Sequence, residues 1–263
     1  MIIIGERINA TRKGVGEAIE KKDSKFIQQE ALNQVNAGAN FLDVNCGTSV
    51  SKEASNMEWL VNTVQEAVDV PLVIDSPNPD VLESGLKLCK KKAMVNSITG
   101  EKERIKKILP LVEKFNADVI ALTMDEKGMP HTAQERLDIA EKIIDAAKEY
   151  NISKERIYFD ALVRPISTES DQSKEFLDAV RLIKTKTGAN TACGLSNISF
   201  GLPNRKLINA TFLAMALYSG LSAAIIDPTD KQMMSILRVS NALLGQDEYC
   251  LEYITAFKEG KII

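Results

Sequence analysis

Short apolar runs recur eight times along the chain: Ile2 to Ile8, Phe41 to Val44, Leu72 to Ile74, Ala93 to Val95, Val119 to Thr123, Ile157 to Phe159, Thr191 to Leu195 and Ala223 to Ile226. Most are apolar at successive rather than alternate positions, which suits strands buried on both faces of a parallel sheet. Between them the apolar spacing lengthens to that of amphipathic helices. Phe26, Ile27, Ala31 and Val35 form one such face, with Gly38 placed as a C-cap glycine. Met57, Leu60, Val61 and Val64 form another, and Val81 to Cys89 reads as a short helix with Asp80 as its N-cap. The series continues through Ile105 to Phe115, Leu137 to Ala147, Phe176 to Ile183 and Phe212 to Ala216. Tyr253, Ile254 and Phe257 mark a last helix in the tail from Asp247 to Ile263. Strict strand-helix alternation in eight units predicts an α/β fold that closes as a (β/α)8 TIM barrel. The rival, an open doubly wound sheet, lacks the GxGxxG turn that would mark it. No linker or composition shift divides the chain, so residues 1–263 read as one domain.

Length and composition agree with this reading: 263 residues, 44% hydrophobic and 26% charged, are enough for one large core. With 33 Lys and Arg against 36 Asp and Glu, the formal net charge is -3, and no basic run supplies the footprint of a nucleic-acid binder. No signal peptide or membrane-spanning run is evident, which predicts a cytoplasmic protein. Cys46, Cys89, Cys193 and Cys250 are scattered without a CxxC pair or neighbouring histidine, so neither a zinc site nor a disulfide framework is expected.

In a barrel the carboxyl ends of the strands converge on one mouth. Those ends carry Asn9, Asp43 and Asn45, Asp75 and Ser76, Asn96 and Ser97, Met124 and Asp125, Asp160, Ser196 and Asn197, and Asp227. Each alone could be a turn former. Together, a mouth of Asp, Asn and Ser with almost no Lys or His suits a neutral heterocycle rich in N–H donors better than a phosphate or a metal. His131, the sole histidine, lies in a loop sequence, which argues against a Ser-His-Asp triad; no strand ends in Lys, which argues against Schiff-base chemistry. Arg7 and Arg164 stand near strand ends, where they could meet an anion or form ion pairs across the rim.

The sequence Gly5-Glu6-Arg7-Ile8-Asn9, Leu42-Asp43-Val44-Asn45, Ile74-Asp75-Ser76, Val95-Asn96-Ser97, Asp160 and Gly194-Leu195-Ser196-Asn197, in that order, resembles the pterin-binding methyltransferases that act between tetrahydrofolate and corrinoid proteins. The likeness spans the chain, through Asn204-Arg205 and Thr211 to Ala216. It implies a TIM barrel, usually a homodimer, that uses tetrahydrofolate or 5-methyltetrahydrofolate as substrate. The corrinoid (cobalamin) is carried by a partner protein, and this chain ligates no metal. Carried over by resemblance, Asp75, Asn96 and Asp160 bind the pterin, with Gly194 and Ser196 shaping the wall. Asn197 meets N5, so Asn197 and Asp160 are the catalytic candidates. Asp43, Asn45, Ser97 and Arg205 stand behind them. The stretches Ile198 to Pro203 and Arg164 to Ser173 depart from the acetogen form of the family, which leaves the partner open between the corrinoid/iron-sulfur protein and a small corrinoid protein of a demethylation system. A dihydropteroate synthase-like enzyme and a non-catalytic folate-binding protein are the alternative readings.

Overall fold

The computed structural model describes residues 1–47 and 52–263. Its eight strands are β1 (Ile2–Asn9), β2 (Phe41–Asn45), β3 (Leu72–Asp75), β4 (Met94–Thr99), β5 (Asp118–Leu122), β6 (Ile157–Asp160), β7 (Asn190–Ala192) and β8 (Ala223–Ile226). All pairings between them are parallel, in the order β7-β6-β5-β4-β3-β2-β1-β8. The circle closes between β7 and β8 through the bridge Gly194–Ile225, with the Ile225 N–H donating to the Cys193 carbonyl at 2.8 Å and the Ser222 N–H to the Thr191 carbonyl at 3.1 Å. This is the predicted (β/α)8 barrel.

Among the described residues ten helices surround it: α1 (Lys13–Lys21), α2 (Ser24–Asn36), α3 (Glu53–Ala67), α4 (Pro79–Leu86), α5 (Lys102–Lys114), α6 (Ala133–Lys148), α7 (Gln172–Thr187), α8 (Arg205–Ser219), α9 (Lys231–Leu243) and α10 (Leu251–Lys258). Alternation is therefore less strict than expected. Two helices, not one, join β1 to β2, and the first is hidden in sequence because Gly14 and Gly16 weaken its helical signature. α4 begins at Pro79 and is capped by Asn78, whose side chain accepts from the Asp80 N–H; Asp80 lies inside the first turn and is not the cap. The predicted seventh strand is shorter than its apolar run. It stops at Ala192, and Leu195–Ser199 coils into a 3-10 turn. Gly38 follows the end of α2 with φ +107°, a conformation that glycine adopts without a Cβ penalty. No helix of the described residues is long and apolar enough to cross a membrane.

The core has two layers. Leu42, Leu60, Ile74, Val95 and Phe159 belong to the shell between sheet and helices. Ile4, Val73, Met94, Ile120, Tyr158, Ala192 and Ala223 fill the barrel. Side chains on a strand alternate, so two residues beyond each filler the same inward phase returns. The strands have by then reached the mouth, and the inward residues become Glu6, Asp75, Asn96, Leu122, Asp160, Gly194 and Ile225. Asp43 and Asn45 supply the phase on β2.

Two strands shift register on the way. β1 bulges between Gly5 and Ile8, and the Arg7 N–H is taken by Oε1 of the fully buried Gln34 at 2.9 Å. A Cβ on Gly5 would stand 2.4 Å from that same oxygen, so the bulge needs glycine here. β4 bulges between Asn96 and Ile98, taking Ser97 out of register. The Asn96-Ser97 peptide is cis.

Candidate functional site

The polar layer of the mouth is built from amide–carboxyl pairs. Asn45, Asp75 and Asn96 occupy matching positions on β2, β3 and β4. Asn45 Nδ2 donates to Asp75 Oδ2 at 2.9 Å, and Asn96 Nδ2 donates to Asp43 Oδ1 at 3.3 Å. Each amide thus spends a donor on a carboxyl. Asp43 lies deepest, and burial, the neighbouring Asp75 and, more weakly, Glu6 push its carboxyl well above the usual range against the hydrogen bond from Asn96. Asp75 is raised by burial, against the hydrogen bond from Asn45. Two adjacent carboxyls cannot both ionise cheaply in such a site. The pair is therefore held above the usual carboxylate range together, and Asp75, the less buried of the two, is the member at the mouth.

Across the barrel, Asp160 ends β6. Burial raises it from 3.8 to about 6, held down by the N–H groups of Leu162 and Gly194 and by the Arg136 guanidinium. The Leu162 N–H reaches Asp160 Oδ1 at 2.7 Å because Leu162 adopts φ +62°. A left-handed leucine costs about 1–2 kcal/mol, a local strain of the kind that collects at functional sites. Arg136, fully buried on α6, donates to the His131 carbonyl at 3.3 Å and to Gln172 Oε1 at 2.9 Å, tying together the segments on either side of Asp160.

The 3-10 turn after β7 carries Ser196 and Asn197. Arg205 holds it from α8, donating to the Ser196 carbonyl at 2.7 Å and to Ser199 Oγ at 3.0 Å. Asn197 is exposed, and among the described residues its side chain makes no hydrogen bond. A Cβ on Gly194 would stand 3.3 Å from its Nδ2, so glycine leaves that amide room.

Other strand-end residues serve local structure. Asn9 Oδ1 accepts from Thr11 N and Oγ1, closing a turn. Asp125 accepts the Lys127 N–H and pairs with Lys142. Asp227 accepts from Thr229 and pairs with Arg7 at 2.8 Å, while Arg7 also pairs with Glu30 at 2.7 Å. Arg164 pairs with Glu169 at 2.6 Å. Both arginines near strand ends are thus rim ion pairs. His131 is exposed in its loop.

Two residues escaped the sequence reading. Glu6 sits in the mouth, its carboxyl raised by burial and by Asp227, with Arg12, Ser196 and Arg205 acting against that rise. It was hidden inside the first apolar run, at the start of a β1 bulge that has no sequence signature. The other, Arg104, has its side chain behind β3 and β4.

A profile of the pterin binding enzyme family matches residues 5–227. The chain is 39% identical over 265 aligned positions to the methylcorrinoid:tetrahydrofolate methyltransferase of Eubacterium limosum, covering 100% of this chain and 98% of that one. Methionine synthase of Mycobacterium tuberculosis is 33% identical over 241 positions, covering 86% of this chain and 20% of that longer protein. Among solved structures, dihydropteroate synthase of Stenotrophomonas maltophilia superposes with TM-score 0.71 at 18% identity over 92% of each chain. That of Clostridium difficile gives 0.73 at 19%, over 92% of this chain and 96% of that one. At such identities the structural likeness speaks for the fold alone.

The Asp160 shift has a measurable sign. Its folded value of about 6 lies above the unfolded one, so the folded state binds more protons between the two and loses stability as pH rises from about 4 to about 6. The loss is on the order of 2–3 kcal/mol. An Asp160→Asn variant, free of this titration, is expected to gain about that much relative to wild type between pH 4 and pH 7 in denaturant unfolding. A difference that stays flat with pH would contradict the assignment.

Proposed function

This chain belongs to the pterin-binding enzyme family, and from that premise we propose that it moves a methyl group between a corrinoid protein and N5 of tetrahydrofolate, running from methylcorrinoid to folate. The observation that carries this reading is the mouth itself: Asp75, Asn96 and Asp160 face one opening beside the free amide of Asn197. The full-length likeness to a methyltransferase named for that reaction supports it, as does the methionine synthase match. The dihydropteroate synthase likeness extends to the fold and no further.

The chemistry follows from the groups present. A pterin offers ring N–H and amino donors on one edge; Asp75 and Asp160 accept them, and the amide of Asn96 can both give and take. Leu122 and Ile225, half-buried in the same layer, give the flat ring an apolar surface. In the proposed direction the N5 lone pair attacks the methyl carbon, and the cobalt–carbon bond breaks with its electron pair left on cobalt as Co(I). N5 sheds its proton, for which the Asn197 carbonyl offers an acceptor open to solvent. In reverse the leaving nitrogen gains electron density, and the Asn197 N–H stabilises it more in the transition state than in the ground state. One amide serves both directions because it has a donor end and an acceptor end.

The corrinoid arrives on a partner protein that docks over the mouth. We also propose that two copies of the chain associate, the exposed Leu251, Ile254 and Phe257 of α10 giving an apolar stripe for it. Light scattering should then report twice the 29.0 kDa chain mass; a single-chain mass at working concentration would contradict the pairing.

Asn197→Ala is expected to slow single-turnover methyl transfer by roughly a hundredfold, the scale of losing one polarising partner. Asp160→Ala should chiefly weaken tetrahydrofolate binding measured by calorimetry. An unchanged rate in the first, or unchanged affinity in the second, would remove that residue from its role.

A further inference from the structure

Arg104 stands at the third position of α5, in the first helical turn, where the helix dipole disfavours a cation. Among the described residues it forms no ion pair. Burial lowers its pKa, with Glu101 acting against that. A guanidinium placed so unfavourably has another use, and its hydrogen bonds show where it is spent. Nε and Nη2 donate to the Ser97 carbonyl at 3.3 and 2.7 Å, and Nη2 also approaches the Ser76 carbonyl at 3.5 Å. Nη1 donates to the Pro77 carbonyl.

These acceptors are not scattered. Ser76 and Pro77 directly follow Asp75, and Ser97 directly follows Asn96. Asp75 and Asn96 are register partners, and the Ser76 N–H donates to the Asn96 carbonyl at 3.1 Å. Ser97 is the residue that the β4 bulge removes from register. A half-buried carbonyl displaced from its ladder needs a donor, and a planar fork can serve that carbonyl of one strand and those that follow another at once. From these contacts we infer that Arg104 is a positioning residue: it fastens the carboxyl ends of β3 and β4 together from behind and so fixes the spacing of the Asp75 carboxylate and the Asn96 amide. The inference rests on the folate reading of the mouth and adds to it a specificity-determining residue outside the mouth.

Lysine cannot replace such a fork, because one ammonium presents no planar set of donors for three carbonyls. The test is anaerobic calorimetry of tetrahydrofolate binding to wild type, Arg104→Lys and Arg104→Ala, with thermal unfolding measured alongside. Arg104→Lys keeps the charge and the alkyl stem and remains informative where the alanine variant fails to fold. Both variants are expected to bind about tenfold or more weakly, the scale of losing a hydrogen bond from a charged donor. The kcat at saturating folate should change far less than KM, because ring-binding contacts hold ground state and transition state alike. Millimolar guanidinium should restore affinity to Arg104→Ala, where sodium chloride of equal ionic strength does not. Unchanged folate affinity in Arg104→Lys would overturn the inference, as would a loss in Arg104→Ala that tracks thermal stability and resists guanidinium. Absence of folate binding by wild type would instead strike the folate reading itself.

Discussion

A carboxylate can face the top of an apolar barrel only if hydrogen bonds replace the water it gives up, and this requirement organises the structure around the mouth. The barrel filling of Ile4, Val73, Met94 and Ile120 excludes water from below. One strand layer higher, Asp43, Asp75 and Asp160 each need partners. Asn96 and Asn45 supply them for the first two, and the Leu162 and Gly194 N–H groups for the third. The left-handed Leu162, the β1 bulge and the short seventh strand are departures from regular structure that place donors or side chains at this layer.

Satisfaction is deliberately incomplete. Asp160 remains raised to about 6, and the Asn197 side chain has no hydrogen-bond partner among the described residues. A site built for stability alone would be apolar or fully paired. On the proposed folate reading, one left with acceptors and an open amide gains its missing partners when a donor-rich ring enters, so binding recovers part of what folding gave up. The arginines reinforce this division of labour. Arg104, Arg136 and Arg205 all bind backbone carbonyls behind or beside the mouth and leave the opening to acceptors.

The barrel was legible because its strands are apolar at consecutive positions and its helices are not, a contrast that survives without any tertiary information. Asp75, Asn96 and Asp160 were legible because each follows such a run directly. The same rule also selected Asn9, Asp125 and Asp227, which close turns or rim ion pairs; strand-end position does not distinguish a side chain pointing into the mouth from one folded back on its own loop. Glu6 and Arg104 were invisible for a common reason. The β1 bulge at Gly5 to Ile8 contains Glu6, and the β4 bulge at Asn96 to Ile98 frees the Ser97 carbonyl that Arg104 of α5 holds; a one-residue register shift leaves no trace in hydrophobic periodicity. Helix α1 was lost to its glycines, and the end of β7 to an apolar run that continues past the last ladder residue into a turn.

The most direct measurement is anaerobic stopped-flow absorbance of tetrahydrofolate and this protein mixed with a methylated corrinoid, either free methylcob(III)alamin or a methylcorrinoid protein. Methyl transfer gives the absorbance of Co(I), with 5-methyltetrahydrofolate formed in equal amount. A corrinoid spectrum that stays unchanged with both methyl donors, while calorimetry shows tetrahydrofolate bound, would contradict it.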